Sequence, residues 1–576
     1  MVNKFFTKGK KFFTDPQSSV LSAATIIMLM IVASRVLGLI RQRTLAHFFT
    51  PNELSLFFAA FRLPDLVFEV LVFGTFSSAF IPVFTKALDK GNSHAWKIAS
   101  TIVNIGLLFF VLTATLMSLG AESIYRLFAP GYSESEILKI ASIAKILFAA
   151  QGFFVVSYVL TGVLESLRRF LIPALAPLFY NLGIIFGTIV FAGSYDLMAP
   201  TYGVLIGAIA HFLIQLPLAY KLGFRFSFRI FITKDIRKIG RLALPRIVEV
   251  VFLQISKTAE LFLSSLITTA SYTYYTFGNS IQLLPVGLFG TSIAKAALPT
   301  LARQSEDREK FSKTLIASLN QLIFFTAPIA TMLVVLRIPI VRLIYGTDIF
   351  DWNSTIQTGY VISGFAVGVV FQAANALLAR GFYALHNTKT PVKISIAAIL
   401  ITIFLDFTFI RYFGFSVWGL ALGMSIGSVF QSLMLLSVLN KNVLQYPAGK
   451  LLAPILKITF SSVGSGFLMY FILKFFDRSV WVKRLSFLTN IEAVRYLPFE
   501  RFVLDTRYTI NLLILTIAVA AIGGFVYLGI SFLIKSEEIY IFFNLLKRIF
   551  IKKKLSPIPA EEKEPVTPTP TETTTT

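Results

Sequence analysis

Cysteine is absent from the 576 residues, which excludes disulfides, thiolate catalysis and cysteine-based metal sites without fixing a redox compartment. Charge is scarce: Asp, Glu, Lys and Arg together make up 14% of the chain. A Walker-type phosphate loop is missing, so direct use of ATP has no support. There is no convergent Asp, His or Ser constellation suited to phosphate chemistry, which argues against an enzyme and for a protein without catalytic residues or a bound cofactor. The first apolar run begins too far from the N-terminus, and lacks the small-residue cleavage pattern, for a signal peptide. What the chain has instead is apolar material, with 56% hydrophobic residues and a mean hydropathy of +0.75.

No water-soluble chain needs so much of it. A bilayer-spanning helix takes about 20 predominantly apolar residues, and about fourteen such stretches follow one another here. They lie near 20–44, 56–84, 98–120, 138–163, 172–192, 202–223, 242–268, 276–300, 314–336, 355–379, 391–411, 416–439, 451–474 and 509–534. Helices are expected because an open sheet leaves its backbone unsatisfied in lipid and a barrel would show short alternating strands. Residues 537–554 read as a basic amphipathic helix on the membrane surface, and 555–576 as a disordered tail.

The net charge of +24 could suggest nucleic acid, but the basic residues sit in alternate loops. Lys4, Lys8, Lys10 and Lys11 precede the first helix, in a basic segment 1–19. Lys86, Lys90 and Lys97 follow the second helix, and a basic linker at 224–241 follows the sixth. The loops between are poor in Lys and Arg, so the charge reads as a topology signal that places both termini in the cytoplasm. The connection at 475–508, external on this count, dissents with six basic residues.

Two segment pairs recur at one spacing. LVFGTFSSAFIPVFTKAL, around Gly74, resembles GLFGTSIAKAALPTLARQ, around Gly290, at an offset of 216; ESLRRFLIPALAPLFYN and YALHNTKTPVKISIAAI place Pro173 and Pro391 at an offset of 218. A unit of that length holds six helices, and an even number gives both copies one orientation. The expectation is therefore an all-α integral membrane protein with two six-helix lobes in parallel repeat, 20–223 and 242–440, plus two extra helices within 451–534, and a transport site between the lobes. Pro64, Pro82, Pro285 and Pro299, with Gly74 and Gly290, mark the second and eighth helices as bent or hinged.

Charges inside a membrane need a partner or water, since one at the centre costs about 2.5–3.5 kcal/mol on insertion scales. Arg35 and Arg41, on the first helix, have no acidic neighbour there and suit a phosphate, which guanidinium binds bidentately. Arg246, Glu249, Lys257 and Glu260 share a stripe about 80° wide on the seventh helix, spaced to pair as Arg246 with Glu249 and Lys257 with Glu260. That stripe either contacts substrate or holds the lobes together. Asp406 is a single carboxylate for a cation or a basic partner, and His211 reads as a packing element.

The set SRVLGLIR at 34–41, FRLPDL at 61–66, GTFSSAFIPV at 74–83, APGY at 129–132, RRFLIPALAPLFYN at 168–181 and GFYALHNTKTPVK at 381–393 resembles the MurJ (MviN) family, within the superfamily of multidrug, oligosaccharidyl-lipid and polysaccharide exporters. The resemblance implies a lipid II flippase of peptidoglycan synthesis in the bacterial inner membrane, working by alternating access on an undecaprenyl-diphosphate-linked substrate among membrane lipids. It also implies cell-wall synthesis proteins as partners, no nucleic acid, and a coupling ion or the membrane potential as driving force. Residue by residue, it assigns substrate binding to Ser34, Arg35, Arg41 and Asp65, with Asn279 and Ser280 at the positions of the family's eighth-helix Asp-Arg pair. Further family charges fall on Ser55 and Phe68. The alternatives are an exporter of another lipid-linked glycan and a non-transporting scaffold for cell-wall enzymes.

Overall fold

The computed structural model describes residues 20–73, 80–445, 447–477 and 503–550. Segment 1–19, Gly74, most of the 475–508 connection and the tail lie outside them, so the expectations for those stretches have no structural counterpart here. Among the described residues the regular elements are helices, the pairing of Asp477 with Leu504 being an isolated bridge.

Eleven helices are long and apolar enough to cross a membrane. With three more elements they occupy the fourteen positions read from the sequence. The first lobe comprises α1 (Val20–Phe48), a segmented α2 (51–73 and 81–88), α3 (Asn92–Leu119), α4 (Glu134–Ser166), α5 (Leu171–Tyr195) and α6 (Met198–Lys221). The second comprises α7 (Lys234–Ser265), α8 (Ser271–Arg303), α9 (Arg308–Val335), α10 (Trp352–Ala384), α11 (Lys389–Arg411) and α12 (Trp418–Leu444). The added pair, α13 (Ala448–Phe476) and α14 (Thr509–Leu533), packs together against α9. A helix at Glu537–Phe550 follows.

Polar caps set several helix starts. Thr50 accepts from the Glu53 amide while the Glu53 carboxylate accepts from the Thr50 amide, so α2 begins at Pro51, five residues before its apolar run. Ser133 and Glu136 repeat this box at the head of α4.

The duplication is visible in backbone detail. In α2 the helix passes through a π segment at Glu69–Phe73, and in α8 through one at Val286–Thr291; these begin 217 residues apart. Each is followed by a proline, Pro82 at the head of Ile81–Leu88 and Pro299 inside Ser292–Arg303. A π segment leaves backbone groups out of the regular ladder and bends the helix, as proline does. Pro285 ends the α part of α8, Gly290 lies within its π segment, and Pro64 sits buried in the turn before the π segment of α2.

Helix crossings repeat too. A Cβ on Gly183 or Gly187 of α5 would lie 2.4 Å from the Cα of Gly207 or Gly203 of α6, so bare backbones touch. In the second lobe the matching positions of α11 are Thr402 and Asp406, whose side-chain oxygens press on Gly427 and Gly423 of α12, 2.0 Å from where a Cβ would stand. Replacing Gly187 by Leu should therefore lower the thermal midpoint in detergent by an amount equivalent to about 1–3 kcal/mol of overpacking. Gly193→Leu on the same helix, with nothing within 4 Å, should leave it unchanged.

Candidate functional site

A cavity of about 480 Å³ lies between α1, α5 and α8, and its lining includes Ser34, Arg35, Arg41, Tyr180, Asn181 and Ser280. Four of the six residues assigned to substrate binding thus share one space. α1 contributes one face because positions 34, 38, 41 and 42 recur with helical period. The α5 wall carries Pro173 and Pro177, and Glu165 and Phe170 stand at its end. Among the described residues no ion pair is made by Arg35 or Arg41, and the Arg41 Nε has no hydrogen-bond partner. The phenols of Tyr180 and Tyr345 are electrostatic neighbours of Arg41. Two guanidinium groups against one lining carboxylate leave the cavity cationic.

One end is closed by contacts between lobes. Gln42 Nε2 donates to Ser280 Oγ at 2.7 Å, and Tyr345 Oη donates to Gln42 Oε1 at 2.7 Å. Arg43 donates to the carbonyls of Leu343 and Ile344 at 2.8 and 3.0 Å. Thr347 Oγ1 donates to the Ala46 carbonyl and Thr273 Oγ1 to that of Pro51. These contacts gather at the C-terminal end of α1, away from the Met30 and Glu165 end of the lining.

Asp65 and Asn279 are not among the cavity-lining residues. Asp65 accepts from Gln151 Nε2 at 2.7 Å inside the first lobe, and Asn279 Oδ1 accepts from the buried Gln282 at 2.8 Å. Ser55 is fully buried with its hydroxyl 2.9 Å from Tyr132 Oη, and Phe68 packs on Tyr158 with ring centroids 5.4 Å apart. Those two family charge positions are thus occupied by packing groups.

The charged stripe of α7 works across the lobe boundary. Lys257 Nζ donates to both Glu69 oxygens at 3.1 Å, which replaces the expected pairing with Glu260. Glu260 has Tyr275 and Ser256 as its neighbours. Arg62, 5% exposed, donates to Gln254 Oε1, and Gln254 Nε2 donates in turn to Glu69. Glu249 is half-buried, and the Arg246 side chain lies outside what the structure describes. Arg62 and Glu69 escaped the reading of the sequence although they sit seven positions apart in and beside FRLPDL, which puts them on one helix face. Asp406 is 1% exposed, its Oδ1 lacks a hydrogen-bond partner, and Glu260 is an electrostatic neighbour. No group of three or more potential metal-ligating side chains occurs among the described residues. His211 is a packing element, 2.6 Å from Ser157 Oγ and stacked with Tyr158.

Residues 45–490 match the family model described as lipid II flippase MurJ. The chain is 28% identical over 467 residues to the lipid II flippase MurJ of Thermosipho africanus, covering 80% of this chain and 93% of that one. It is 25% identical over 431 residues to the lipid II flippase MurJ of Burkholderia cenocepacia, covering 72% and 83%. A solved lipid II flippase MurJ in an inward closed conformation superposes with a TM-score of 0.72 at 26% identity, covering 91% of this chain and all of that one. An inward-facing multidrug transporter of the MATE family, at 14% identity and a TM-score of 0.56 over 71% of this chain, shares the fold.

Two outcomes test the cross-lobe chemistry. In a double-mutant cycle of Glu69→Gln and Lys257→Met, chemical unfolding in detergent should show a coupling of about 1 kcal/mol, the range for a half-exposed pair. At the start of α7, hydrogen bonds from His94 and then Lys90 hold the Asp235 carboxyl below its ordinary value of 3.8. A lowered folded value stabilises above the unfolded one, so Asp235→Asn should cost under about 1 kcal/mol at neutral pH. The difference in thermal midpoint should vanish as pH falls from 3.8 through the lowered folded value.

Proposed function

Because the chain belongs to the lipid II flippase MurJ family, we propose that it carries a lipid-linked peptidoglycan precursor from the cytoplasmic to the outer leaflet by alternating access. It is a multi-pass inner-membrane transporter, and its substrate travels among membrane lipids. The observation that carries the reading is the cavity in which Arg35 and Arg41 meet Ser34 and Ser280 with no counter-anion bonded to either guanidinium. A diphosphate supplies the missing charge, because its oxygens match the guanidinium fork and a low local dielectric strengthens the contact.

The positive-inside pattern supports placing both termini in the cytoplasm. On that orientation the C-terminal end of α1 faces outward. The seam from Gln42 to Thr347 is then the closed outer gate, and the Met30 and Glu165 end is the inward mouth. The headgroup enters there, settles against Arg35 and Arg41, and leaves outward once the seam opens and the lobes rock about the π segments of α2 and α8.

No covalent step is involved. The membrane potential, worth about 2.3 kcal/mol per charge per 100 mV, favours outward movement of an anion when the inside is negative. Asp406, with an unpartnered oxygen beside Glu260, is the candidate ligand for a coupling cation. The delivered lipid is then taken up by cell-wall synthesis proteins at the outer face.

Reconstituted into vesicles with lipid II, Arg35→Ala and Arg41→Ala proteins should each transport at about a tenth of the parent rate or less, as expected for losing a charge-assisted contact. Each should also fail to rescue a conditional flippase mutant. Transport that survives both substitutions would remove the cavity from the mechanism.

A further inference from the structure

Leaving α6, the chain turns at Gly223, φ 100°, against the Trp96 indole. It then runs without helix until Thr233 caps α7. This run lies along α3, whose polar side chains carry its main chain. Ser100 donates to the Arg225 carbonyl at 3.3 Å, Asn104 donates to the carbonyls of Ser227 and Arg229 at 2.7 and 3.4 Å, and the Phe231 amide donates to Thr101 at 3.2 Å. Ser100 and Thr101 are completely buried beneath it. Polar groups on a membrane helix that is otherwise apolar are costly unless paired, and the linker pairs them.

Depth follows from helix geometry. α3 begins at Asn92, so Asn104 lies about 18 Å along the axis and Lys97 about 7.5 Å, at 1.5 Å per residue. With Asn92 taken at the water side of the headgroup layer, the linker runs through the level of the headgroups and into that of the upper acyl chains.

Its side chains alternate with the period of an extended strand. Phe226, Phe228, Ile230 and Ile232 are 43%, 88%, 44% and 69% exposed. Nothing among the described residues covers that edge, and four large apolar groups in one row mark a surface that water does not cover. Arg225 stands just before this row and Arg229 within it, both exposed. Arg225 is held over the Tyr220 ring at 3.8 Å, and Lys97 lies 5.6 Å from the Phe231 ring centroid. Asp235, two residues beyond the segment, is engaged by His94 and Lys90.

We infer that residues 224–233 form an anionic-phospholipid site on the inner leaflet, with the apolar edge among acyl chains and Arg225 and Arg229 holding the phosphodiester. The choice of leaflet rests on the orientation proposed above; the site holds whichever lipid the transporter carries. Charge complementarity selects the occupant, since a neutral headgroup would leave the basic groups at this level without a counter-charge. Because the segment joins the lobes, a bound lipid fixes the first-lobe end of the connection to the bilayer and leaves α7 to move against it.

The full chain carrying Phe228→Trp, reconstituted into phosphatidylcholine vesicles, provides the test. Brominated phosphatidylglycerol should quench the added tryptophan more strongly than the same fraction of brominated phosphatidylcholine, with parent emission subtracted. That preference should be lost in Arg225→Gln/Arg229→Gln on the same background, be restored by Arg225→Lys/Arg229→Lys, and shrink at high salt. Equal quenching by both lipids would reduce the segment to an apolar anchor, and absence of quenching would place it outside the bilayer. Either result overturns the proposal.

Discussion

A guanidinium group in the apolar slab is tolerable only where water, a carboxylate or a bound anion reaches it, and much of the structure is arranged around that constraint. Arg35 and Arg41 open onto the cavity, while Arg62 reaches Gln254 and through it Glu69. The two solutions differ in consequence. Arg62 is tied to Gln254 of the other lobe, although its Nε has no partner, so it stabilises one arrangement of the lobes. Arg35 and Arg41 keep capacity for oxygen acceptors, so the state that holds them is one that a phosphate can stabilise.

The seam that closes the cavity is built from weaker material. Gln42 with Ser280, Tyr345 with Gln42 and Thr347 with Ala46 are neutral hydrogen bonds, each worth about 1 kcal/mol net, and the two from Arg43 to the Leu343 and Ile344 carbonyls are the charged ones. Apolar packing such as Phe58 against Phe277, with centroids 5.8 Å apart, adds to it. A gate of several small contributions opens when a ligand binds the alternative state only a few kcal/mol better. Among the described residues the charged cross-lobe pairs are Lys257 with Glu69 and the contacts of Asp235 with Lys90 and His94. The first is half-exposed on both sides, which keeps its strength modest.

The helices were readable because an apolar run of fixed length is imposed by the bilayer and not by tertiary context. The repeat was readable because a matched pair of proline-bearing bent segments survives as Gly and Pro spacing, and the π segments fall where that spacing puts them. Side-chain partners were less accessible. Spacing alone offered Glu260 to Lys257, but a residue on another helix, Glu69, competes on equal terms once the lobes meet. Asp65 was placed in the substrate site by motif position, yet Gln151 of α4 holds it within its own lobe. Ser34, Arg35, Arg41 and Ser280 line one cavity because α1 and α8 face the same space.

The comparison of the lobes carries the argument one step further. At the crossing of α5 and α6 four glycines meet, and nothing but backbone fits between them. At the equivalent crossing of α11 and α12 two of the four are Thr402 and Asp406. Duplication of a fold copies its backbone contacts, but a site that only glycine fits in one copy becomes a slot for a side chain in the other when the facing glycines are kept. Asp406 fills such a slot at 1% exposure. Its carboxylate faces α12 and, through electrostatics, Glu260 of α7. The halves are therefore alike in architecture but not in chemistry, with the cavity's arginines in the first and the buried Asp406 beside Glu260 in the second. A transporter whose lobes move against each other needs its ligands to distinguish the states, and two lobes that differ at matching crossings provide that distinction where two identical ones would not.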